Sequence, residues 1–256
     1  MSSSKPDEFF LDPAIYESQF AYAAQLTDVR YWIQLAKTLG PKVLELACGT
    51  GRITIPAFES GVDIDGVDFS EPMLNVARDR AKARSLPVKF FLGDIRSLSL
   101  EQQYDFMFLP SGTISHLISR SEVEAFLKCV HQALRPTGVL AIDLHNPLKT
   151  FLNSWPLNPA PEYTSFEILT TKETVQLATT RSYQADTQLF TVKFHYTFAN
   201  GSTRDTAIVL RLYFPSEFQT LLHYNRFEVL KIDGDYTQRE FNAEHSKYVV
   251  IARKRQ

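Results

Sequence analysis

A turn between two glycines constrains this chain more than any other feature. The segment KVLELACGTGRITIPAFESGVDIDGVD, residues 42–68, opens with an apolar run that predicts a buried parallel strand. Gly49-Thr50-Gly51 follows, and glycine lets the backbone turn tightly and a ligand approach closely. A predicted helix over 52–59, a second apolar strand and the terminal acid Asp68 complete one βαβ unit. Such a unit predicts a nucleotide-like ligand at the carboxyl ends of its strands.

The spacing of the glycines bears on which nucleotide the unit would bind. The dinucleotide fingerprint requires a third glycine where this chain has Thr54, so a nicotinamide-dependent oxidoreductase is disfavoured. The absence of an obvious Tyr/Lys pair for hydride transfer disfavours it further. Asp68, seventeen residues after Gly51, is placed to accept hydrogen bonds from both ribose hydroxyls. We therefore expect a ligand with one nucleoside and no pyrophosphate.

The segment resembles the first motif of class I S-adenosylmethionine-dependent methyltransferases, with Glu45, Gly49 and Gly51 in the motif positions. Three later phrases are also similar to this family: DFSEPM at 68–73, GDI at 93–95 and LRPTGVL at 134–140. The resemblance runs from residue 40 to 147 without a gap. It implies S-adenosyl-L-methionine as the cofactor and methyl transfer as the activity, with no metal.

The resemblance also implies a set of cofactor-binding residues. It gives Asp68 the ribose, Phe69 and Met73 an apolar wall for adenine, and Asp94 a contact to the adenine amine. The other residues expected in this site are Glu45, Ala47, Gly49, Gly51, Arg52, Ile95, Pro110 and Tyr16. Three tyrosines near the N-terminus, Tyr16, Tyr22 and Tyr31, either cover the domain or bring a phenol close to the methionine or the acceptor.

We expect an α/β protein with a seven-stranded Rossmann-like sheet, an N-terminal helical cap and an inserted antiparallel β-sheet. The sheet order implied by the resemblance is 3-2-1-4-5-7-6, with strand 7 antiparallel. The expected divisions are a cap at 1–39, a cofactor-binding core at 40–147, an antiparallel β insertion or lid at 148–214, and the C-terminal part of the core at 215–256. Ser121 with Glu124, and Ser216 with Gln219, predict two helix-capping boxes.

The expected insertion consists of four runs in which apolar and polar residues alternate. Asn200-Gly201 between the last two runs is a strong hairpin signal. A sheet with one apolar face must cover either the mouth of the active site or a partner subunit. A homodimer through the insertion is therefore one possible assembly.

Composition narrows the classes of partner and compartment. A net charge of −2 and a pI near 6.3 give no electrostatic reason to bind nucleic acid. The sequence contains no run of eighteen apolar residues, so we predict no membrane span and expect a cytoplasmic protein. We expect its partner to be a small-molecule substrate. The two cysteines, Cys48 and Cys129, match no metal-binding spacing, and Cys48 is expected to pack structurally against the glycine turn.

Methyl transfer is an in-line displacement with a neutral leaving group, so positioning of the reactants can supply most of the catalysis. A base is needed only where the acceptor must lose a proton. His116 and His145 follow the predicted fourth and fifth strands and are the candidate bases; ordinary histidines at a helix start or in a loop are the alternative. His195, on the polar face of the insertion, is a weaker candidate.

The sequence thus predicts a methyltransferase for a nitrogen or oxygen of a small-molecule acceptor. The alternative is a non-catalytic S-adenosylmethionine-binding protein whose fold serves oligomerisation or sensing. That alternative would be favoured if the insertion plugged the mouth near Ser111 and His145.

Overall fold

Two sheets dominate residues 8–21, 27–101, 103–153 and 160–256, which the computed structural model describes. Their strands, in chain order, are β1 Val43–Leu46, β2 Ile64–Asp68, β3 Phe90–Leu92, β4 Tyr104–Leu109, β5 Leu134–His145, β6 Glu162–Glu167, β7 Thr174–Gln184, β8 Leu189–Thr197, β9 Thr203–Arg211, β10 Phe227–Gly234, β11 Arg239–Glu240 and β12 Lys247–Lys254.

The larger sheet has the order β3-β2-β1-β4-β5-β12-β10-β11. Strands β1 to β5 pair in parallel, and β12 lies antiparallel between β5 and β10. This confirms the predicted α/β fold and the order 3-2-1-4-5-7-6. One detail differs, because the chain turns back after Gly234 and adds the two-residue strand β11 at the edge. Within that turn Asp235, Tyr236 and Gln238 all have positive φ.

Helices cover both faces of this sheet. They are α1 Pro13–Tyr16, α2 Thr27–Leu39, α3 Thr54–Glu59, α4 Glu71–Ala83, α5 Arg120–Ala133, α6 Pro147–Thr150 and α7 Pro215–Tyr224. The first helix continues directly into a π-helical turn over Glu17–Ala21. None of the helices in these described ranges has the length and apolar character needed to cross a membrane.

The start of α5 corrects one capping prediction. Ser119 is the N-cap; its Oγ accepts from the Glu122 N–H at 3.2 Å, and the Glu122 carboxylate accepts from the Ser119 N–H at 3.0 Å. The predicted box of Ser121 and Glu124 is therefore wrong, because the helix already begins at Arg120. Glu124 accepts instead from the Arg120 guanidinium, at 2.7 Å.

The start of α7 corrects the other capping prediction. Here the Glu217 carboxylate accepts from the N–H of Phe214, at 3.4 Å, because the helix begins at Pro215. The predicted pair of Ser216 and Gln219 does not form. The Gln219 amide donates to the Pro215 carbonyl one helical turn earlier, at 3.3 Å.

The core lies on both sides of the larger sheet. On one side Trp32 of α2 is fully buried and stacks on Phe108 of β4, with ring centroids 4.8 Å apart. On the other side Phe126 of α5 and Phe218 of α7 are also fully buried. Because β1, β2, β4 and β5 run in parallel, their carboxyl ends meet at one uncovered edge of the sheet.

The second sheet is antiparallel, with the order β6-β7-β8-β9. Its alternating pattern buries one side of β8, where Phe190, Val192, Phe194 and Tyr196 are at most 7% exposed. The Asn200-Gly201 turn joins β8 to β9, and Gly201 has the positive φ of +81° that favours glycine. The buried side faces the open edge of the larger sheet, where the residues of the candidate site lie.

Candidate functional site

The glycine turn begins the site. Gly49 and Gly51 have φ values of +54° and +78°, in the left-handed region. The two glycines serve different purposes. The N–H of Gly49 donates to the Asp68 carboxylate, at 2.8 Å. A Cβ atom on Gly51 would lie 3.0 Å from Ile55 Cδ1 and 3.3 Å from Ala77 Cβ, so this glycine allows α3 and α4 to pack closely.

Asp68 fixes two loops at the end of β2. Its carboxylate accepts from the N–H groups of Gly49 and Ser70, both at 2.8 Å, and is 5% exposed. Burial raises the pKa of this carboxyl group above its ordinary value. Ser70 in turn caps α4 and donates its hydroxyl proton to the carbonyl of Phe10, at 2.8 Å. Asp68 therefore links the glycine turn to the next helix and faces the cavity beside them.

Glu45, at the end of β1, has a partner that its motif does not indicate. The Thr54 hydroxyl donates to the Glu45 carboxylate, and the two residues are 0% and 2% exposed. Burial raises the pKa of Glu45 to about 8. Thr54 stands at the third-glycine position of the dinucleotide fingerprint. The sequence marks Thr54 only as a missing glycine and does not predict the hydrogen bond of its hydroxyl to Glu45.

Arg52 ties helix α2 to the glycine turn. Its guanidinium makes two hydrogen bonds to the Asp28 carboxylate, at 2.9 and 2.7 Å, and Asp28 is 5% exposed. Such a two-pronged pair fixes orientation as well as distance. Arg52 also donates to the hydroxyl of Ser111 in the loop after β4, at 3.3 Å. The pair therefore joins three segments around the site.

The N-terminal segment covers the cavity. The Phe10 ring contacts Phe69 and His116 edge to face, with centroids 6.2 and 5.1 Å apart. Among the three tyrosines, Tyr16 lines the cavity, whereas Tyr31 is in the core and donates to Asp233 at 2.9 Å. Tyr22 lies outside the described residues.

Asp94 lines the cavity after β3, as does its neighbour Ile95. Its carboxylate pairs with the Arg96 guanidinium at 2.6 Å, and the same guanidinium contacts Glu122 at 2.7 Å. Burial acts to raise the pKa of Asp94, but the hydrogen bonds from Arg96 outweigh it and lower the pKa. Asp94 is therefore held as a carboxylate in a fixed orientation.

The loop after β4 is held by a buried acid of β5. Asp143 is 0% exposed, accepts from the N–H of Gly112 at 2.6 Å, and accepts from the Tyr236 phenol. Ser111 and Gly112 both have positive φ, of 66° and 65°. A Cβ atom on Gly112 would lie 2.7 Å from His145 Cδ2, so the loop packs tightly against that imidazole.

The histidines occupy different surroundings. Burial, and secondarily the charge of Lys247, lower the pKa of His145 to about 3. His116 is partly exposed and lines the cavity. His195 lies on the outer side of the second sheet, where its Nδ1 is 2.6 Å from Asp205. His131 is on α5, with its Nε2 2.8 Å from the Arg255 carbonyl oxygen.

A cavity of about 1830 Å³ joins the open edge of the larger sheet to the second sheet. With the exception of Gly51, every residue predicted for the site contributes to its wall: Tyr16, Glu45, Ala47, Gly49, Arg52, Asp68, Phe69, Met73, Asp94, Ile95, Pro110, His116 and His145. The second sheet contributes a wall that we call the inner face, made of Leu177, Phe190, Val192, Phe194, Ile208 and Leu210. Ligand cavities are commonly 300–1,000 Å³, so this one has room for two molecules side by side.

Comparisons with known proteins indicate which kind of protein has such a cavity. A family profile described as "Methyltransferase domain" matches residues 43–138. The YqeM protein of Bacillus subtilis, which carries a provisional methyltransferase name, is 32% identical over 119 residues, or 46% of this chain and 48% of its own. The CcbJ methyltransferase from Streptomyces caelestis superposes with a TM-score of 0.79 over 97% of this chain and 98% of its own, at 24% identity. These findings support the resemblance to class I S-adenosylmethionine-dependent methyltransferases: residues 43–138 match the methyltransferase domain, and the whole chain shares the fold of these proteins.

A third comparison includes the cofactor of these methyltransferases. CalS10, an amino pentose methyltransferase from Micromonospora echinaspora solved with S-adenosylmethionine, superposes with a TM-score of 0.68 at 18% identity, over 94% of this chain and 96% of its own. At such identity the likeness concerns the fold. The present chain spans about half the length of the curated relatives that it matches.

The residues around the cavity fit S-adenosylmethionine by their chemistry. The cofactor combines an ammonium group, a ribose with two hydroxyls and an apolar base. Buried carboxylates of Glu45 and Asp68, which can accept hydrogen bonds, and apolar side chains of Phe69 and Met73 stand together at the same edge of the sheet. Because this cofactor has no pyrophosphate, its site does not need a series of backbone N–H groups to bind one.

Several residues of this site were not predicted from the sequence. Two pairs, Thr54 with Glu45 and Arg52 with Asp28, lie close to the glycine motif. The one sequence signal for the first pair was a polar residue, Thr54, at a position where a dinucleotide site has glycine. Tyr236 and Lys247, which also belongs to the cavity wall, come from the end of the chain. No local pattern marks them, because their contacts form across about 90 to 100 residues of sequence.

Proposed function

We propose that this chain is a methyltransferase that moves a methyl group from S-adenosylmethionine to a nitrogen or oxygen of a small-molecule acceptor. The observation that carries the proposal is the single cavity that joins the glycine turn to the inner face. Ser111 and His145 line this cavity together with residues of the insertion, so within the described residues the insertion forms a wall there and does not fill the space. This supports an enzyme over a non-catalytic cofactor-binding protein.

The cofactor would be held by residues that the fold already orients. The Asp68 carboxylate, fixed by two N–H groups, has further lone pairs that can accept from ribose hydroxyls. The Glu45 carboxylate would accept from the ammonium group of the methionine part, with Thr54 fixing its orientation. Phe69 and Met73 would pack against the adenine, and Asp94 would accept from the adenine amine.

The chemistry requires little of the protein besides orientation. The bound cofactor supplies an electrophilic methyl group on a sulfonium, and the leaving thioether is neutral. The rigid loop at Ser111 and Gly112 lies beside this place and would align the acceptor in the line of attack. Where the acceptor must lose a proton, His116 is the proposed base, because it is accessible from the cavity.

His145 has a different proposed role. With a pKa of about 3, its imidazole remains neutral and is too weak a base to take a proton from an ammonium group. Its ring packs against Gly112 and against Phe151, at a centroid distance of 5.2 Å for the latter. It would position the loop after β4 rather than exchange protons.

A small acceptor suits the second sheet, whose inner face lies over the cavity and forms one of its walls. The proposed homodimer through the insertion stays a separate prediction. The outer side of the second sheet carries Lys193, His195 and Asp205, so such a contact would be polar there. Size-exclusion chromatography with light scattering checks it, and a monomer at all concentrations would exclude it.

A coupled assay tests the proposed function. The full chain is incubated with S-adenosylmethionine and a panel of small amines, phenols and alcohols, and formation of S-adenosylhomocysteine is measured by mass spectrometry. We expect acceptor-dependent formation by the wild type and at least tenfold less by Asp68→Asn at subsaturating cofactor. Asp63→Asn, which changes an exposed acid on a loop, is the matched control. Failure of S-adenosylhomocysteine to bind the wild type would overturn the proposal.

A further inference from the structure

The cations around the cavity differ in their partners. Arg52, Arg96 and Arg181 each have a carboxylate oxygen within 2.7 Å of the guanidinium: those of Asp28, Asp94 and Glu162. Lys247 also lines the cavity, yet within the described ranges no carboxylate lies within ion-pair distance, 4.0 Å, of its ammonium. Among the cations that the described part of the chain contributes to this wall, its positive charge is therefore the one that is not directly paired with an acid.

The ammonium of Lys247 is held by an aromatic ring. It donates to the Tyr236 phenol oxygen at 3.3 Å and lies 5.3 Å from the centre of that ring. Tyr236 donates in turn to Asp143, so the phenol stands between the ammonium and this buried acid, which Lys247 reaches by its charge and not by a direct hydrogen bond. This arrangement fixes the direction of the ammonium and leaves donors for another group, because a lysine ammonium has three.

The position of Lys247 separates it from the cofactor end of the cavity. It begins β12 and stands in register with His145 of β5. From β12 to β1, which carries the glycine turn, are three strand steps, or about 14 Å across the sheet. Lys247 therefore lies on the far side of the loop after β4, where the acceptor would be.

An apolar path leads from Lys247 to the inner face. The ring of His145, its neighbour in register, contacts Phe151 at a centroid distance of 5.2 Å. Phe151 then contacts Phe190 of the inner face at 4.8 Å. A molecule in this part of the cavity would touch aromatic and aliphatic side chains along its body and a positive charge at one end.

We propose that the acceptor is an organic anion with an apolar body, whose anionic group binds Lys247 while the body packs on the inner face. This inference rests on the proposed function and narrows its substrate class. A carboxylate or a phosphate suits the ammonium equally, since both accept charge-assisted hydrogen bonds. A purely cationic acceptor would meet a like charge at the same place, with no acid paired directly to Lys247 among the described residues.

Three probes with one body and different ends test the inference: 3-phenylpropionate, 3-phenylpropionamide and 3-phenylpropylamine. Each is titrated by ligand-observed NMR into the full chain saturated with S-adenosylhomocysteine. We expect the wild type to bind the anion more tightly than the amide, and the amide more tightly than the amine. Lys247→Gln should lower the affinity for the anion about tenfold or more and change the affinity for the amide by less than about twofold.

Controls separate a recognition role from a structural one. Lys193→Gln removes an exposed lysine from the outer side of the second sheet and should change neither affinity. Lys247→Arg should recover most of the anion affinity. If Lys247→Gln does not fold, raising the salt concentration should reduce the preference of the wild type for the anion over the amide.

Several outcomes would overturn the inference. They are equal anion affinity in Lys247→Gln and the wild type, tighter binding of the amine than of the anion, and no anion binding by the wild type. A wild type that fails to bind S-adenosylhomocysteine contradicts the proposed function instead, so the two failures are distinguishable. Normal cofactor binding without anion binding contradicts only the inference about Lys247.

Discussion

The hydroxyl of Thr54 donates a hydrogen bond to the carboxyl group of Glu45, and neither side chain has more than 2% of its surface exposed. This relationship explains why a β-branched polar residue occupies the position at which a dinucleotide site would use glycine. Instead of permitting a close approach of backbone to a pyrophosphate, Thr54 fixes an acid that can meet a cationic group. The pair thus distinguishes the site chemically from a nicotinamide site.

Thr54→Val tests this hydrogen bond with a side chain of nearly the same shape. Without the donor, the Glu45 carboxylate is less stable, so its pKa should rise above about 8. We expect affinity for S-adenosylhomocysteine near pH 7 to fall by about 1.5–3 kcal/mol, the range for a hydrogen bond to a charged group. Calorimetric titrations at several pH values measure it, and the loss should shrink in alkaline buffer.

Thr38→Val is the matched control, because its hydroxyl donates to the Gln34 carbonyl on an exposed turn of α2. Its cofactor affinity should equal that of the wild type. Equal affinities for the Thr54 and Thr38 variants at every pH would show that Thr54 does not act through Glu45.

The raised pKa of Glu45 also makes the stability of the ligand-free protein depend on pH. The folded-state pKa of about 8 exceeds the ordinary value of 4.5, so between these values the folded state binds more protons than the unfolded state. The contribution of Glu45 to the free energy of unfolding is therefore full below about pH 4.5 and is lost as the pH rises towards 8. We expect Glu45→Gln to remove this loss.

Urea unfolding of the wild type and Glu45→Gln checks that sign. The stability of the variant relative to the wild type should increase by about 1.4 kcal/mol per pH unit through this window, and then level off. A difference that stays constant from acid to alkaline buffer would mean that the carboxyl group titrates alike in both states.

Tyr236→Phe tests how the loop after β4 is held. The change removes the phenol that donates to the buried Asp143 and leaves that acid short of a donor. We expect a loss of about 1–3 kcal/mol in the free energy of unfolding, measured with urea. Tyr224→Phe, at a tyrosine that is 79% exposed, should lose less than about 0.5 kcal/mol. Equal losses for the two variants would contradict the role of the phenol.

The proposed base is tested with any acceptor that the panel yields. His116→Ala should lower turnover by about 10²–10⁴-fold at saturating cofactor, because no base remains to take the proton of the methyl acceptor. The affinity for the cofactor should change little. His131→Ala, on α5 and outside the cavity wall, should turn over like the wild type. A loss below about tenfold for His116→Ala would mean that positioning alone carries the reaction.

Much of the fold could be predicted because its signals are local. The apolar runs of β1 and β2, the glycines at Gly49 and Gly51, and the hairpin at Asn200-Gly201 each dictate backbone geometry within a few residues. The seven-strand order was correct because the family phrases fix the succession of strands. Helix starts were less accurate, since several serines and acids near Ser119 could form a capping box and only the packing of α5 selects one.

The partners within the site could not be predicted in the same way. Asp143 with Tyr236, and Lys247 with His145, are joined by strand pairing between distant parts of the chain. The direction of the His145 pKa likewise depends on burial by Phe151 and on the charge of Lys247, which a sequence does not display. Residue types near a motif were thus predictable, and their long-range partners were not.

Calorimetric titration of S-adenosylhomocysteine into the full chain tests the central claim most directly, with NAD titrated in parallel. The account predicts that S-adenosylhomocysteine binds and NAD does not. It also predicts that Asp68→Asn, which replaces the acid bound by Gly49 and Ser70, weakens binding by about 1.5–3 kcal/mol while the control Asp63→Asn does not. Tight binding of NAD with no response to S-adenosylhomocysteine would contradict it.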